Sequence, residues 1–220
     1  MKKIICILIN LCIAMVSLTG CNIRKSSINE KLTENAIKEI TELVSSDKFY
    51  FKGTTEVKKN SDNNSRKTET YYKNGNRCLI ILQTGTIDDD PTKILTIDNV
   101  VYYICDAKKI AVISNGYNMK LLDSLKTWCS NWLPTKAKYF MTKTVEENGQ
   151  KLSREIFKVD YANLSFYFLE EKLKRIELEK SMCTTIEYSK EVDDSLLEFP
   201  KNYEIIDKRT QAQIPISERI

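Results

Sequence analysis

Residues 92–114 read TKILTIDNVVYYICDAKKIAVIS, and this stretch decides the fold. It contains three short runs rich in β-branched and aromatic residues, at 92–97, 100–106 and 110–114, which predict three strands. Asp98 and Asn99 separate the first two runs and are typical of a tight turn. Because strands joined by tight turns pair antiparallel, the stretch predicts part of a meandering sheet.

The same pattern continues on both sides of this stretch. Further strands are predicted over residues 48–58, 65–73, 77–84, 137–147, 151–159, 164–170, 173–180 and 183–190. Asn74-Gly75-Asn76 and Asn148-Gly149 are tight-turn signals between consecutive strands. A single antiparallel sheet of about eleven strands tends to curl, which gives it a concave face.

Two amphipathic helices interrupt the strand pattern. Ser27 and Glu30 have the spacing of a capping box, and apolar residues recur at helical spacing over residues 28–44. A second helix is predicted over residues 119–132, stopped by Pro134. Its apolar face comprises Leu121, Leu122, Leu125, Trp128, Cys129 and Trp132. Of these, Leu121, Leu125, Trp128 and Trp132 are the candidate cavity-lining or core residues. We therefore predict an α+β half-barrel: a large curved antiparallel sheet with both helices on its concave face. Two domains divided at the second helix are the less favoured alternative, because neither half would close its own sheet.

The first twenty residues predict a signal peptide. Lys2 and Lys3 precede an apolar run over residues 4–16, which is shorter than the roughly 20 residues needed to span a bilayer. Leu18-Thr19-Gly20-Cys21 then resembles a bacterial lipobox, with cleavage between Gly20 and Cys21 and acylation of the Cys21 thiol. The expected organisation is a signal peptide (1–20), an acylated tether (21–26), a half-barrel domain (27–206) and an irregular tail (207–220). The acyl group would hold the domain on the outer face of the cell membrane.

Composition excludes several kinds of chemistry. The 220 residues include no histidine and only 6 glycines, so imidazole catalysis, histidine metal sites and glycine-rich phosphate loops are excluded. We expect no catalytic residue, no cofactor and no metal, and a net charge of +4 does not predict nucleic-acid binding. Asp88-Asp89-Asp90 is interpreted as a solvated turn rather than a calcium loop, because it lacks spaced ligands.

Four cysteines follow the tether, at positions 78, 105, 129 and 183. Two disulfides are one alternative outside the cytosol. Reduced thiols in the core are favoured, because three of the four lie in strand-like apolar runs.

Two passages resemble the LolA/LppX group of lipoprotein carriers and lipid-binding lipoproteins. Residues 164–177, LSFYFLEEKLKRIE, are similar to the late hairpin of that group, and residues 197–203, LEFPKNY, are similar to the end of its domain. The resemblance implies a curved sheet with a hydrophobic cavity that can hold lipid acyl chains. A soluble carrier would not be acylated at Cys21, so the chain resembles the anchored members more closely, including germination lipoproteins of spore-forming bacteria.

The resemblance to germination lipoproteins implies a non-catalytic partner role. In this reading the protein is a regulatory subunit that binds a cell-wall N-acetylmuramoyl-L-alanine amidase acting on the spore cortex, at a spore membrane. The alternative is a lipid- or lipoprotein-binding protein that uses the hydrophobic cavity. Large side chains on the second helix favour a filled cavity and hence the partner role. The sequence leaves open the identity of the partner or ligand, association into a homodimer and the role of the tail.

Overall fold

The computed structural model describes residues 30–58, 64–85, 90–114, 118–179 and 181–209. The predicted signal peptide, Gly20, Cys21 and the tether lie outside the described residues. So do Asp88 and Asp89 and the end of the tail.

The secondary structure follows the predicted order. The helices are α1 (Glu30–Val44) and α2 (Asn118–Ser130), with one 3₁₀ helix at Asp194–Leu197. The strands are β1 (Lys48–Lys58), β2 (Asn64–Asn74), β3 (Arg77–Thr84), β4 (Thr92–Ile97), β5 (Val100–Cys105), β6 (Ile110–Ser114), β7 (Lys138–Glu147), β8 (Gln150–Val159), β9 (Ala162–Leu169), β10 (Lys172–Leu178), β11 (Met182–Ser189) and β12 (Glu204–Asp207).

All twelve strands belong to one sheet, in the order β12-β6-β5-β4-β3-β2-β1-β11-β10-β9-β8-β7. Neighbouring strands are antiparallel except β12, which pairs parallel with β6. The β4–β5 turn has φ angles of 47° at Asp98 and 67° at Asn99, which suit a two-residue hairpin. The α+β half-barrel prediction is confirmed, with twelve strands among the described residues rather than about eleven.

One apolar core lies between the helices and one face of the sheet. Alternate residues of β1, including Phe49 and Phe51, are fully buried and contact this core, as the period of two requires. The α1 residues Ala36, Ile40, Leu43 and Val44 and the α2 residues Leu125 and Cys129 are buried against it. This face is the concave face that the sequence predicted the helices would cover.

A C-terminal strap, residues 190–209, covers part of the opposite, convex face. Leu197 is buried against Leu79 and Leu95. The ring centroids of Phe199 and Tyr102 lie 5.1 Å apart. The Tyr203 hydroxyl donates a 2.7 Å hydrogen bond to Asp106. Residues 197–203, which carried part of the family resemblance, therefore fasten the strap to the sheet.

The predicted irregular tail begins inside a strand. Asp207 ends β12 and pairs with Ile113, so the boundary between residues 206 and 207 cuts through this strand. A strand of four residues shows too little alternation of apolar and polar residues to be predicted from sequence. Its pairing with β6 also depends on the strap, which brings it to that edge of the sheet. The second helix also ends at Ser130, so Trp132 lies beyond it rather than within it.

The cysteines at 78, 105, 129 and 183 are thiols rather than members of disulfides, with Cys78 and Cys129 buried. Burial raises the pKa of the Cys129 thiol to about 12, so it stays protonated at neutral pH. The preference for reduced core cysteines agrees with this arrangement.

Alkylation of these thiols tests the seating of α2. At pH 8 we expect iodoacetamide to modify half-buried Cys105 in the native protein, while Cys129 reacts only after unfolding, because the thiolate is the nucleophile. Peptide mass spectrometry would report both rates. Equal alkylation rates at Cys105 and Cys129 in the native protein would show that α2 does not bury the Cys129 thiol against the sheet.

Candidate functional site: the interface between α2 and the concave face

Three aromatic rings form the centre of the interface between α2 and the sheet. The Phe51 ring centroid lies 6.1 Å from that of Trp128 and 6.3 Å from that of Trp132. The two indoles meet edge to face, with centroids 5.3 Å apart. Such offset contacts are the favoured geometry for aromatic pairs. We call Phe51, Trp128 and Trp132 the aromatic cluster.

Gly53 lets the Trp128 ring lie directly on the backbone of β1. A Cβ placed on Gly53 would lie 3.0 Å from Cη2 of Trp128, closer than normal van der Waals contact. A glycine within a strand often marks such a close approach. The Trp128 ring therefore spans the gap between α2 and the sheet. It is this side chain, rather than the backbone of α2, that contacts β1.

The structure brings the predicted lining residues together. Leu125 and Trp132 are buried, Leu121 and Trp128 are half-buried, and all four contact the same core. The backbone of α2 comes close to that of α1, whereas it approaches each strand at isolated points at most. The side chains on one face of α2 thus provide most of its attachment to the sheet.

Trp132 is 8 % exposed, and its Nε1–H has no hydrogen-bond partner among the described residues. A buried donor without an acceptor carries a desolvation cost. The ring is therefore held by apolar contacts, and displacing it would break no hydrogen bond within the described structure.

A buried carboxylate fixes the N-terminal part of α1. Glu155 on β8 is 0 % exposed, and its Oε2 accepts a 3.1 Å hydrogen bond from the Thr33 backbone N–H and a 2.5 Å bond from the Thr33 hydroxyl. The first backbone N–H groups of a helix have no partner within the helix, and an anion is favoured there. Sequence reasoning did not identify Glu155, although it is in phase with buried Phe157.

A cleft of about 370 Å³ lies at the other end of α1. Its lining is Glu39, Glu42, Leu43, Ser46, Lys172, Tyr188, Ser189 and Lys190. Burial raises the pKa of Tyr188 to about 12, and nearby Glu39 adds to the shift. This charged lining does not suit an acyl chain, so the apolar candidate remains the α2 interface.

The convex face carries an arginine cluster that joins the edge strand to β10. Arg175 donates two 2.8 Å hydrogen bonds to Glu147 on β7, and its guanidinium lies 3.9 Å from the Tyr167 ring centroid. The Arg175 hydrogen bonds lower the pKa of Glu147. Burial and a hydrogen bond to Glu177 raise the pKa of Tyr167 to about 12. Arg175 thus links β10 to the edge strand, and the evident role of this cluster is to brace the sheet.

The described ranges hold no group of three or more cysteine, aspartate or glutamate residues placed to bind a metal ion. Glu170 and Glu171 lie exposed in the β9–β10 turn with φ angles of 49° and 66°, and neither lines the cleft at the end of α1. Among the described helices, neither the length nor the hydropathy reaches what a membrane crossing requires.

No protein-family model and no curated protein sequence matches the chain. Solved structures do match. LprF from Mycobacterium bovis is similar with a TM-score of 0.42 and 10 % identity, covering 76 % of this chain and 96 % of that chain. A LolA superfamily protein from Nitrosomonas europaea is similar with a TM-score of 0.30 and 6 % identity, covering 76 % of this chain and 97 % of that chain.

An uncharacterized conserved protein from Thermus thermophilus is also similar, with a TM-score of 0.36 and 11 % identity over 77 % of this chain and 98 % of that chain. No function follows from likenesses this low. The architecture itself, a curved sheet with two helices on its concave face, agrees with the half-barrel that the LolA/LppX resemblance implied.

Proposed function

We propose that the protein is an extracytoplasmic lipoprotein, held on the outer face of the cell membrane by acylated Cys21, that binds acyl chains between α2 and the concave face. One observation carries the proposal. The side chains of one stripe attach α2 to the sheet, so a shift of this helix would uncover an apolar surface. The proposed role is binding without catalysis.

Replacement of an indole of the aromatic cluster by an acyl chain keeps the apolar surface buried. The surface around the aromatic cluster is apolar on both sides, from Ile80 on β3 to Phe166 on β9, and both residues are fully buried. An acyl chain that replaced an indole would keep this surface out of water. Each methylene that the acyl chain buries would stabilise the complex by about 0.8 kcal/mol. Because Trp132 makes no hydrogen bond through Nε1 to any described residue, its displacement loses apolar contacts alone.

Native mass spectrometry of the full-length protein, purified from the membranes of its own host, tests this function. We expect an acyl modification on Cys21 and, in addition, a noncovalently bound lipid. Trp128→Ala should increase the amount of bound lipid, because it removes the ring that lies over Gly53. Tyr102→Ala is a matched control on the convex face and should leave the amount unchanged. No noncovalent lipid on either the wild type or Trp128→Ala would contradict acyl-chain binding.

A second candidate is the regulatory subunit of an N-acetylmuramoyl-L-alanine amidase required for cortex modification and germination. The observation that favours it is the filled interface: Leu125 is 2 % exposed and Cys129 0 %, so no ligand is needed to complete the core. In this case the purified protein alone would leave peptidoglycan intact and would raise amide cleavage when added to the amidase. The same mass spectra would report whether it forms a homodimer.

A further inference from the structure

α1 crosses the concave face with its N-terminal part near one edge of the sheet. Thr33, in the first turn after Glu30, is held on β8 by Glu155, and β8 has only β7 between it and the edge. The C-terminal part of α1 lies over the centre, where Leu43 shares a cleft with Tyr188 of β11. The chain segment that precedes Glu30 therefore joins the domain near β7.

The same edge carries exposed aromatic and cationic side chains. Phe140 on β7 is 48 % exposed, and Tyr161 in the β8–β9 turn is fully exposed. The Nζ of Lys158 lies 4.0 Å from the Phe140 ring centroid. Lys138 on β7 is the cross-strand partner of Lys158. Exposed Lys136 lies just before β7. We call these five residues the edge patch.

The charge of this region favours an anionic partner. The three lysines of the edge patch have two exposed acidic neighbours: Asp160 in the same hairpin turn, and Glu179, whose Oε2 accepts hydrogen bonds from Asn163, the cross-strand partner of Lys158. Glu147, at the far end of β7, is engaged by Arg175 and does not offset them. Lysines are attracted to anionic headgroups, while aromatic rings favour the membrane–water interface.

We infer that the edge patch docks on the surface of an anionic lipid bilayer and holds the half-barrel with its β7 edge against the membrane. This inference rests on the proposed anchor at Cys21. Residues 21–29 span at most about 30 Å when fully extended, so the anchor keeps the β7 edge close to the headgroups. The contact also shields the unpaired backbone groups of an edge strand.

The opposite edge of the sheet, at β12, does not lie next to the point where the tether enters the domain. Ile205 on β12 is 53 % exposed, but eleven inter-strand steps of about 4.8 Å separate β12 from β7 along the sheet. The tether instead enters the domain beside β8, one strand from the β7 edge. The position where the chain enters the domain, rather than exposure alone, thus selects the β7 edge.

Lysine footprinting of the acylated full-length protein tests this docking. The protein is reconstituted into vesicles of phosphatidylcholine, with or without phosphatidylglycerol, and treated with a membrane-impermeant amine-reactive reagent. We expect Lys138 and Lys158 to react about threefold or more slowly when phosphatidylglycerol is present, and high salt should remove the difference. Lys108 and Lys109 in the β5–β6 turn serve as internal controls and should react equally in both vesicles.

A pair of variants separates the patch from general surface effects. Phe140→Ser combined with Tyr161→Ser should abolish the protection of Lys138 and Lys158, whereas Ile205→Ser should leave it intact. Equal reaction rates of the two lysines in both vesicles would overturn the docking. Protection that persists in detergent micelles would indicate a protein contact and would overturn it as well. An unacylated Cys21 would overturn the anchor, whereas an acylated protein with unprotected lysines would overturn only the docking.

Discussion

Replacement of Trp132 by alanine is expected to lower the free energy of unfolding by about 3–5 kcal/mol, as for other truncations of buried aromatic residues. The ring is 8 % exposed and lies 6.3 Å from that of Phe51 and 5.3 Å from that of Trp128, centroid to centroid. Its removal would leave a cavity at the centre of the α2 interface. Chemical denaturation followed by circular dichroism would measure the loss.

Trp132→Phe is the matched control for this truncation. It keeps an aromatic ring in the cluster and removes an Nε1–H that has no partner among the described residues, so its cost should be smaller than that of Trp132→Ala. If Trp132→Ala unfolds at the wild-type denaturant midpoint but carries more lipid, the ring lines an open cavity rather than a core. A wild-type midpoint with unchanged lipid content would contradict both roles.

The strands were predictable because their signals are local. Residues 48–58, 77–84, 92–97 and 110–114 were predicted and found with the same bounds as β1, β3, β4 and β6. Alternation places Phe49 and Phe51 on the buried face of β1, and Asp98 and Asn99 adopt the positive φ angles of the predicted turn. β12 lacks such signals, because its position depends on the strap crossing the convex face.

The interface was predictable in part. The spacing of Leu121, Leu125 and Trp128 marked the correct face of the second helix, and Trp132, just beyond its end, joins the same core. The sequence could not show that Trp128 lies on Gly53, because residues 75 positions apart meet only after β1 takes its place in the sheet. Glu155 was missed for a related reason. A carboxylate in a strand normally indicates a solvated position, and its burial depends on donors from a distant helix.

The two helices are attached in different ways, and this difference bears on function. α1 is fixed at one end by the buried Glu155–Thr33 contact and at the other by its direct connection to β1. α2 is held through apolar side chains, and the Trp132 ring just beyond its end makes no hydrogen bond through its indole nitrogen to the described part of the chain. We therefore expect α2 to move when a ligand enters, while α1 keeps the domain in a fixed relation to its anchor.

Replacement of Glu155 by alanine is expected to lower the free energy of unfolding by about 2–4 kcal/mol, because it leaves the Thr33 N–H and hydroxyl without their acceptor and opens a cavity. Thr33 and Glu155 are both 0 % exposed, so water cannot replace the carboxylate without rearrangement. Glu155→Gln keeps an acceptor oxygen of similar position and should cost less. Native-state hydrogen exchange should be faster at Thr33 in the alanine variant and unchanged at Leu43 and Val44, since these contact the core at the other end of α1. Wild-type stability together with wild-type exchange at Thr33 would show that the carboxylate does not fix α1.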